Sequence, residues 1–264
     1  RYNSVMAKGE RIIAISKFIA NHIVENYGVN PKKINIAYRG IELGKFHPQL
    51  VNAERMVNMS KMLDLPDDRP VILLPSRLTR IKGPNVVIEA LAHLKNKHVH
   101  CAIFGAKPEN SHYQEELSDL AKKLGVEGMI RMHGPCKDMP AAYSLAAVAI
   151  AASVVPEGFG RMAAESQAMG CPTIATNIGA VPEVVLHGKT GWLVPPDDPI
   201  ALAKAIDEAL SMSDTQRANL ATAAMAHVAN SFSLENMCRV VLTTYEDLLA
   251  QRAGKKIKKK AKKK

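Results

Sequence analysis

The sequence predicts an α/β fold in which a doubly wound parallel sheet carries helices on both faces. Three observations lead to this fold class. Short, continuously apolar runs such as 71–75 and 147–152 are typical of strands buried on both faces. From Val71 onward these runs alternate with amphipathic helical segments, and glycine- or proline-containing loops separate them. This alternation favours crossover connections, and therefore parallel pairing of the strands.

The first 50 residues predict a small unit followed by a linker. RIIAI (11–15) and INIAY (34–38) are short apolar runs of the kind that form strands, and Ser16 is placed to cap a helix over 17–26. The segment 39–50 contains glycine and proline and has no periodicity, so it is predicted to be a linker.

The rest of the chain predicts six strands and the helices between and after them. Asp138, Ser213 and Ser233 are placed to cap helices. The predicted strands lie in 71–75, 100–105, 129–134, 147–153, 172–176 and 191–195. The predicted helices lie at about 51–63, 84–95, 111–124, 141–146, 161–169, 199–211, 214–229 and 233–251.

Composition narrows the function classes. The chain has 47% hydrophobic and 23% charged residues, and no apolar run approaches the roughly 18 residues that a membrane span needs. Its four cysteines lie far apart without a CxxC pair, which favours reduced thiols in a cytoplasmic protein. His98 and His100 have no further metal ligand near them in the sequence, so no metal site is predicted.

The net charge of +10 is concentrated at the C-terminus. The last ten residues hold eight lysines, so the rest of the chain carries only the remaining +2. This argues against a nucleic-acid-binding surface on the folded body. The Lys-rich tail (253–264) is predicted to be disordered because its charges repel one another. It is also suited to peripheral contact with an anionic membrane surface at the inner face of the membrane.

Two cations follow the predicted strand 71–75. Arg77 comes directly after the strand, and Lys82 precedes a glycine and a helix. Ligands of open parallel sheets bind at the carboxyl ends of strands, and a guanidinium with an ammonium there can hold a diphosphate. The alternative is that both are solvated loop residues. Gly105, at the end of the next strand, is expected to let the backbone approach a ligand.

The stretch PEGFGRMAAESQAMG (156–170) places two acids eight positions apart. Gly158 and Gly160 permit a tight turn into a helix whose free N–H groups form an anion site. Glu157 lies before this turn, and Glu165 is expected to point from the helix toward the same cleft. A carboxylate there can accept hydrogen bonds from the vicinal hydroxyls of a ribose or hexose. Alternatively, Glu165 is a solvated acid on an alanine-rich helix.

Taken in order, these stretches resemble the nucleotide-sugar half of the retaining glycosyltransferases of family 4, which have the GT-B fold. The resemblance covers nearly the whole chain and implies a Rossmann-like domain. It also implies metal-independent transfer of a sugar from a nucleotide-diphosphate sugar with retention of anomeric configuration, as in the biosynthesis of cell-envelope polysaccharide or lipopolysaccharide. The motifs are IIAISKFIANHI, IAYRGIELGKFHP, SRLTRIKG, PEGFGRMAAESQAMGCPTIAT, GAVPEVV and GKTGWLVPPDDP.

The resemblance implies a role for each site residue. Arg77 and Lys82 would neutralise the donor diphosphate, Glu157 would contact the donor sugar, and these three would form the catalytic group. Glu165 would hold the ribose hydroxyls. The remaining donor-binding residues would be Gly105, Cys136, Gly158, Phe159 and Gly160.

Some features depart from the family pattern or qualify it. Ser76 and Ala180 stand where glycines are usual, and neither change removes a charged group. No D-x-D occurs in the sequence, so no cofactor or divalent ion is expected beyond the nucleotide sugar.

The resemblance also implies a domain organisation. The acceptor would be a sugar or lipid held by an N-terminal domain, of which residues 1–38 would be a remnant. Residues 51–232 would form the donor domain. The chain, which opens on Arg1, is therefore expected to be a fragment that binds the donor but transfers it poorly.

Two other function classes remain open. Gly158-x-Gly160-x-x-Ala163, with Glu183 about 20 residues on, formally matches the dinucleotide fingerprint of an NAD-dependent oxidoreductase. That fingerprint usually opens the first βαβ unit, whereas here it follows a late strand. The other class is a non-catalytic binding module that acts through the Lys-rich tail.

Overall fold

The computed structural model describes residues 2–65 and 68–261. Their strands are β1 (Ile12–Ala14), β2 (Ile34–Ile36), β3 (Val71–Leu74), β4 (His100–Ile103), β5 (Ile130–Met132), β6 (Val148–Ala151), β7 (Thr173–Thr176) and β8 (Trp192–Val194). Their α-helices are α1 (Lys17–Tyr27), α2 (Ala53–Met62), α3 (Pro84–Ala92), α4 (Ser111–Leu124), α5 (Met139–Leu145), α6 (Arg161–Ala168), α7 (Val181–Val184), α8 (Pro199–Leu210), α9 (Asp214–Phe232) and α10 (Leu234–Ala261). The predicted elements are all present, and apart from the end of α10 their ends are shifted by a few residues.

Six strands form one parallel sheet in the order β5-β4-β3-β6-β7-β8. The chain starts at the central strand β3, builds outward to β5, and then returns to add β6, β7 and β8 on the other side. The predicted doubly wound parallel sheet is therefore confirmed. The direction of winding reverses between β3 and β6, and such a switch point leaves a crevice at the carboxyl ends of the two strands.

Both faces of this sheet are buried. Along β3, Ile72 and Leu74 belong to the core beneath α3, α4 and α8, whereas Val71 and Leu73 belong to the core beneath α2, α5 and α6. Because alternate side chains enter opposite cores, every position of the strand must be apolar. This explains the continuous apolar runs of the sequence.

Within residues 2–38, the two strands form a small sheet of their own, separate from the six-stranded sheet. Strands β1 and β2 form a separate parallel pair in which Ile12 lies opposite Ile34. Several hydrogen bonds join this unit to the rest of the chain. The Ser16 hydroxyl donates to the carbonyl of Gly158 at 2.7 Å, and the Asn35 side chain donates to Thr244 of α10 at 2.6 Å. In the linker, the backbone N–H of Ile41 donates to the carbonyl of Phe232 at 2.7 Å.

The C-terminal helix is longer than expected. Disorder was predicted from residue 253, but the backbone of α10 continues to Ala261. Lysine and alanine have high intrinsic helix propensity, so the segment can extend a helix that has already begun. Residues 262–264 of the predicted tail lie outside the described part. None of the helices described is both long and apolar enough to cross a membrane.

Candidate active site at the switch point of the sheet

The loops that follow β3 and β6 are in direct contact at the switch point. The backbone N–H of Val154 donates to the carbonyl of Ile81 at 3.0 Å. Gly83 has a φ of +64°, and a Cβ atom there would lie only 2.1 Å from the carbonyl oxygen of Ala152. A residue without a side chain is required for this contact. The contact brings the predicted cation of one loop to the predicted acid of the other.

Lys82 and Glu157 form an ion pair at this point. The Lys82 Nζ lies 2.7 Å from Glu157 Oε1, and the side chains are only 21% and 23% exposed. Ser153, which is 2% exposed, donates a hydrogen bond from its hydroxyl to the same oxygen. Sequence analysis did not single out Ser153. Its only signal is a polar residue at the carboxyl end of a buried strand.

The backbone of Glu157 is fixed by the loop that follows β7. The N–H of Ala180 donates to the Glu157 carbonyl at 2.9 Å, and Glu157 and Gly179 form an isolated parallel β-bridge. Gly179 has a φ of +65°, and a Cβ there would lie 2.6 Å from the backbone nitrogen of Glu157. Ala180 itself has a φ of −87°, so alanine in place of the family's usual glycine strains nothing at this position.

Arg77 lies at a cavity of about 640 Å³ beside the switch point. Its side chain is exposed, and Phe104, Gly105, Cys136 and Met139 line the same cavity. The structure therefore brings Arg77, Gly105 and Cys136 together at one cavity. Burial raises the pKa of the Cys136 thiol above its ordinary value, so the thiol stays protonated near neutral pH.

A close contact between two loops requires a glycine at position 105. Gly105 has a φ of +88°, and a Cβ there would lie 2.3 Å from the carbonyl oxygen of Ser76 and 2.8 Å from the Cα of Arg77. The glycine lets the two loops touch each other. It thereby fixes the backbone from which Arg77 projects.

An ion pair holds the loop after β5, which forms the far wall of this cavity. Arg55 of α2 donates from Nη2 and Nε to the carboxylate of Asp138, at 2.6 and 2.9 Å. These hydrogen bonds lower the pKa of Asp138 below its ordinary value. Asp138 also accepts from the N–H of Ala141, as predicted for the N-cap of α5. Arg55 was not predicted to have a role.

Glu165 faces a different cavity from the one that Arg77 lines. Its carboxylate pairs with Arg161 at 2.7 Å, one helical turn earlier, and is 13% exposed. The cavity, of about 450 Å³, is also lined by Arg39 and Lys45 of the linker. Neither Lys82 nor Glu157 lines it, so the two glutamates do not meet in one cavity as expected. The eight-residue spacing places them on opposite sides of the turn into α6.

The residues between the two glutamates shape this turn. Phe159 is 3% exposed, and its ring packs against Phe232 and Tyr38 with centroids 5.4 and 6.4 Å away. Its side chain is therefore a core residue, and only its backbone can meet a ligand. A Cβ at Gly158 would contact Ile19 of α1 at 3.4 Å. Gly160 has a φ of +96°, which allows α6 to begin there.

Glu183 holds α1 rather than a ligand. Its two carboxylate oxygens accept from the backbone N–H groups of Lys17 and Phe18, at 2.9 and 2.8 Å. The Tyr38 hydroxyl donates to the same carboxylate at 2.9 Å. Ser16 accepts from the Ile19 N–H, as predicted for the N-cap of α1.

In the described part of the chain, no group of three His, Cys, Asp or Glu side chains could hold a metal ion.

Comparisons with known proteins relate this chain to glycosyltransferases. A family model described as glycosyl transferases group 1 matches residues 58–227. The D-inositol 3-phosphate glycosyltransferase of Xylanimonas cellulosilytica is 31% identical, over 95% of this chain and 60% of that protein. A crystal structure of a glycosyltransferase from Rickettsia africae has a TM-score of 0.89 at 34% identity, over 94% of this chain and 66% of that one.

A further solved structure supports the fold alone. The Anabaena protein HepE, crystallised in complex with UDP and glucose, has a TM-score of 0.81 at 24% identity. The match covers 90% of this chain and 63% of HepE. Against the curated relative from Xylanimonas, the chain spans 60% of the relative's length.

Proposed function

This chain belongs to the group 1 glycosyl transferases, and on that premise we propose that it binds a nucleoside-diphosphate sugar at the switch point of its sheet. It is the donor-binding part of an enzyme that transfers the sugar with retention of anomeric configuration. The observation that carries the proposal is the position of Lys82. Its ammonium stands at the carboxyl edge between β3 and β6, beside the turn into α6.

Each part of the donor has a counterpart in the site. The diphosphate is held by Arg77, Lys82 and the first N–H groups of α6, whose dipole favours an anion. The base enters the cavity between Phe104 and Met139, where Cys136 lies in the wall. The resemblance assigns the ribose hydroxyls to Glu165, and for this its carboxylate must turn away from Arg161 and from the cavity that it faces in the structure. HepE, a protein of similar fold that was solved with UDP and glucose, supports a nucleotide sugar as the ligand.

Sugar transfer in this proposal needs charge stabilisation of the departing diphosphate. Two side-chain cations and the start of a helix supply it, so no divalent ion is required. Glu157 lies at the mouth of the same loop, where it contacts the hydroxyls of the transferred sugar. The acceptor is a sugar or lipid, and the Lys-rich tail brings the enzyme to an anionic membrane surface on the cytoplasmic side.

The dinucleotide alternative is less well supported. Its Gly158-x-Gly160-x-x-Ala163 motif follows β6, the fourth strand of the sheet in chain order, instead of the first. Its acidic residue, Glu183, is already bonded to Lys17 and Phe18 and so cannot bind a ribose. The fingerprint also gives no role to Lys82 or Glu157.

A thermal-shift panel tests the proposed function. The protein is heated with UDP, GDP, UDP-glucose, GDP-mannose and NAD, each at the same concentration. A ligand that binds only the folded state raises the melting temperature. We expect UDP or GDP and the corresponding sugar nucleotide to raise it, and NAD to leave it unchanged. A rise with NAD alone would contradict the proposal.

A further inference from the structure

Two residues that the proposed function assigns to different parts of the donor are bonded to each other in the structure. Lys82 is assigned to the diphosphate and Glu157 to the sugar, yet their side chains lie 2.7 Å apart. Both are more than three-quarters shielded from solvent. Each charge is therefore neutralised by the other, and an incoming donor must compete for both.

Glu157 is held in place by more contacts than the Lys82 ammonium. Glu157 accepts a second hydrogen bond from Ser153, a buried residue whose carbonyl in turn accepts from the Thr176 hydroxyl at 2.7 Å. The bridge to Gly179 fixes its backbone. Lys82 reaches the carboxylate through a flexible four-carbon stem, and among the described residues its ammonium makes only one other hydrogen bond, a long one of 3.5 Å to Ser153. Lys82 is the partner that can move.

We propose that Lys82 exchanges partners when the donor binds. The diphosphate draws the Lys82 ammonium away from Glu157, and Ser153 keeps the released carboxylate in place for the sugar hydroxyls. This inference rests on the proposed function and describes how the same site selects its ligand.

The exchange couples recognition of the sugar to recognition of the diphosphate. A nucleoside diphosphate without a sugar binds the Lys82 ammonium but leaves the Glu157 carboxylate without a neutralising partner in a largely shielded position, which is unfavourable. In an intact donor, the sugar hydroxyls donate hydrogen bonds to that carboxylate and offset the loss. The pair therefore favours the intact donor over the nucleoside diphosphate that remains after transfer.

Isothermal titration of the Glu157→Gln variant tests the exchange. Glutamine has the same shape and can still accept from Ser153, but it does not compete for Lys82. The probes are UDP and UDP-glucose, with GDP and GDP-mannose as the second pair. We expect the variant to bind the nucleoside diphosphate about threefold to tenfold tighter than wild type, the range of a partly exposed ion pair. Preference for the sugar nucleotide over the diphosphate should fall by a similar factor.

Two further variants separate partner exchange from general charge repulsion. Glu116→Gln removes the same charge from a glutamate that is bonded to Arg80 rather than to Lys82, and it should give no tightening. In the Lys82→Met background, adding Glu157→Gln should also give no tightening. If the amide variant does not fold, Glu157→Asp shortens the carboxylate by one methylene and should change affinity in the same direction.

The outcomes are distinguishable. Wild-type binding of UDP or GDP with no tightening in Glu157→Gln overturns the exchange and leaves the proposed function standing. Equal tightening in the presence and absence of Lys82 shows repulsion alone, and also overturns it. A wild type that binds neither UDP nor GDP overturns the proposed function, and the exchange with it.

Discussion

The carboxylate of Glu183 accepts a hydrogen bond of 2.8 Å from the backbone N–H of Phe18, a residue 165 positions earlier in the chain. It thereby supplies the first turn of α1 with an anionic partner from α7. Burial, together with the hydrogen bond to Glu183 and its charge, raises the pKa of Tyr38 to about 12. One carboxylate therefore holds both the helix and the end of the N-terminal unit against the larger domain.

Replacing Glu183 should loosen this attachment. We expect Glu183→Ala to lower the free energy of unfolding by about 1–3 kcal/mol, because two helix N–H groups and a hydroxyl lose their acceptor. Urea denaturation followed by circular dichroism measures the change. Glu246→Ala, an exposed acid on α10, is the matched control and should change stability by less than about 0.5 kcal/mol. Equal effects of both substitutions would contradict this role for Glu183.

Acid should weaken the fold through His100, the first residue of β4, and His133, which directly follows β5. Burial, then the positive charge of Arg131, lowers the pKa of both His100 and His133 below the ordinary value of 6.5, and Asp64 opposes this only in part. The folded state therefore binds these protons less readily than the unfolded state. Their contribution to stability is complete above pH 6.5 and is lost as the pH falls toward the lowered pKa values.

Unfolding free energies at several pH values between 7.5 and 5 check this prediction. Each histidine can add a slope of at most about 1.4 kcal/mol per pH unit. The double variant His100→Gln, His133→Gln should show a flatter pH dependence than wild type over this range. Parallel curves for the two proteins would rule out these histidines as the source.

The Lys-rich tail should govern contact with anionic membranes. Lysines near an anionic surface contribute about 1 kcal/mol each, so deletion of 255–264 should reduce sedimentation with phosphatidylserine-containing vesicles by at least about tenfold. Vesicles of phosphatidylcholine alone serve as the control, and added salt should release the intact protein. Sedimentation that is unchanged by the deletion would place membrane contact elsewhere or nowhere.

The fold could be predicted well from the sequence because its signals are local. Continuous apolar runs, glycine turns and caps such as Ser16 and Asp138 each act within a few residues. The prediction that the last helix ends at 251 was wrong because two opposing effects act on the lysine-rich segment: high helix propensity favours a helix, and charge repulsion favours disorder. Sequence alone does not show which of the two dominates.

The candidate site was only partly predictable. The sequence indicated that Lys82 and Glu157 each follow a strand of the sheet, but the adjacency of β3 and β6, which brings them together, was not predicted. Their direct pairing, and the separation of Glu165 into another cavity, depend on side-chain directions that spacing does not determine. The roles of Arg55 and Glu183 depend on partners 83 and 165 residues away, for which a single sequence carries no signal.

The most direct test of the central claim is the affinity of the Lys82→Met variant for UDP or GDP, whichever binds the wild type, measured by isothermal titration beside the corresponding nucleoside. Lys204→Met, an exposed lysine of α8, is the matched control. Loss of a charge-assisted hydrogen bond to the diphosphate should weaken diphosphate binding by about tenfold or more and leave nucleoside binding unchanged. Equal affinity of Lys82→Met, Lys204→Met and wild type for the nucleoside diphosphate would contradict a donor site at the switch point.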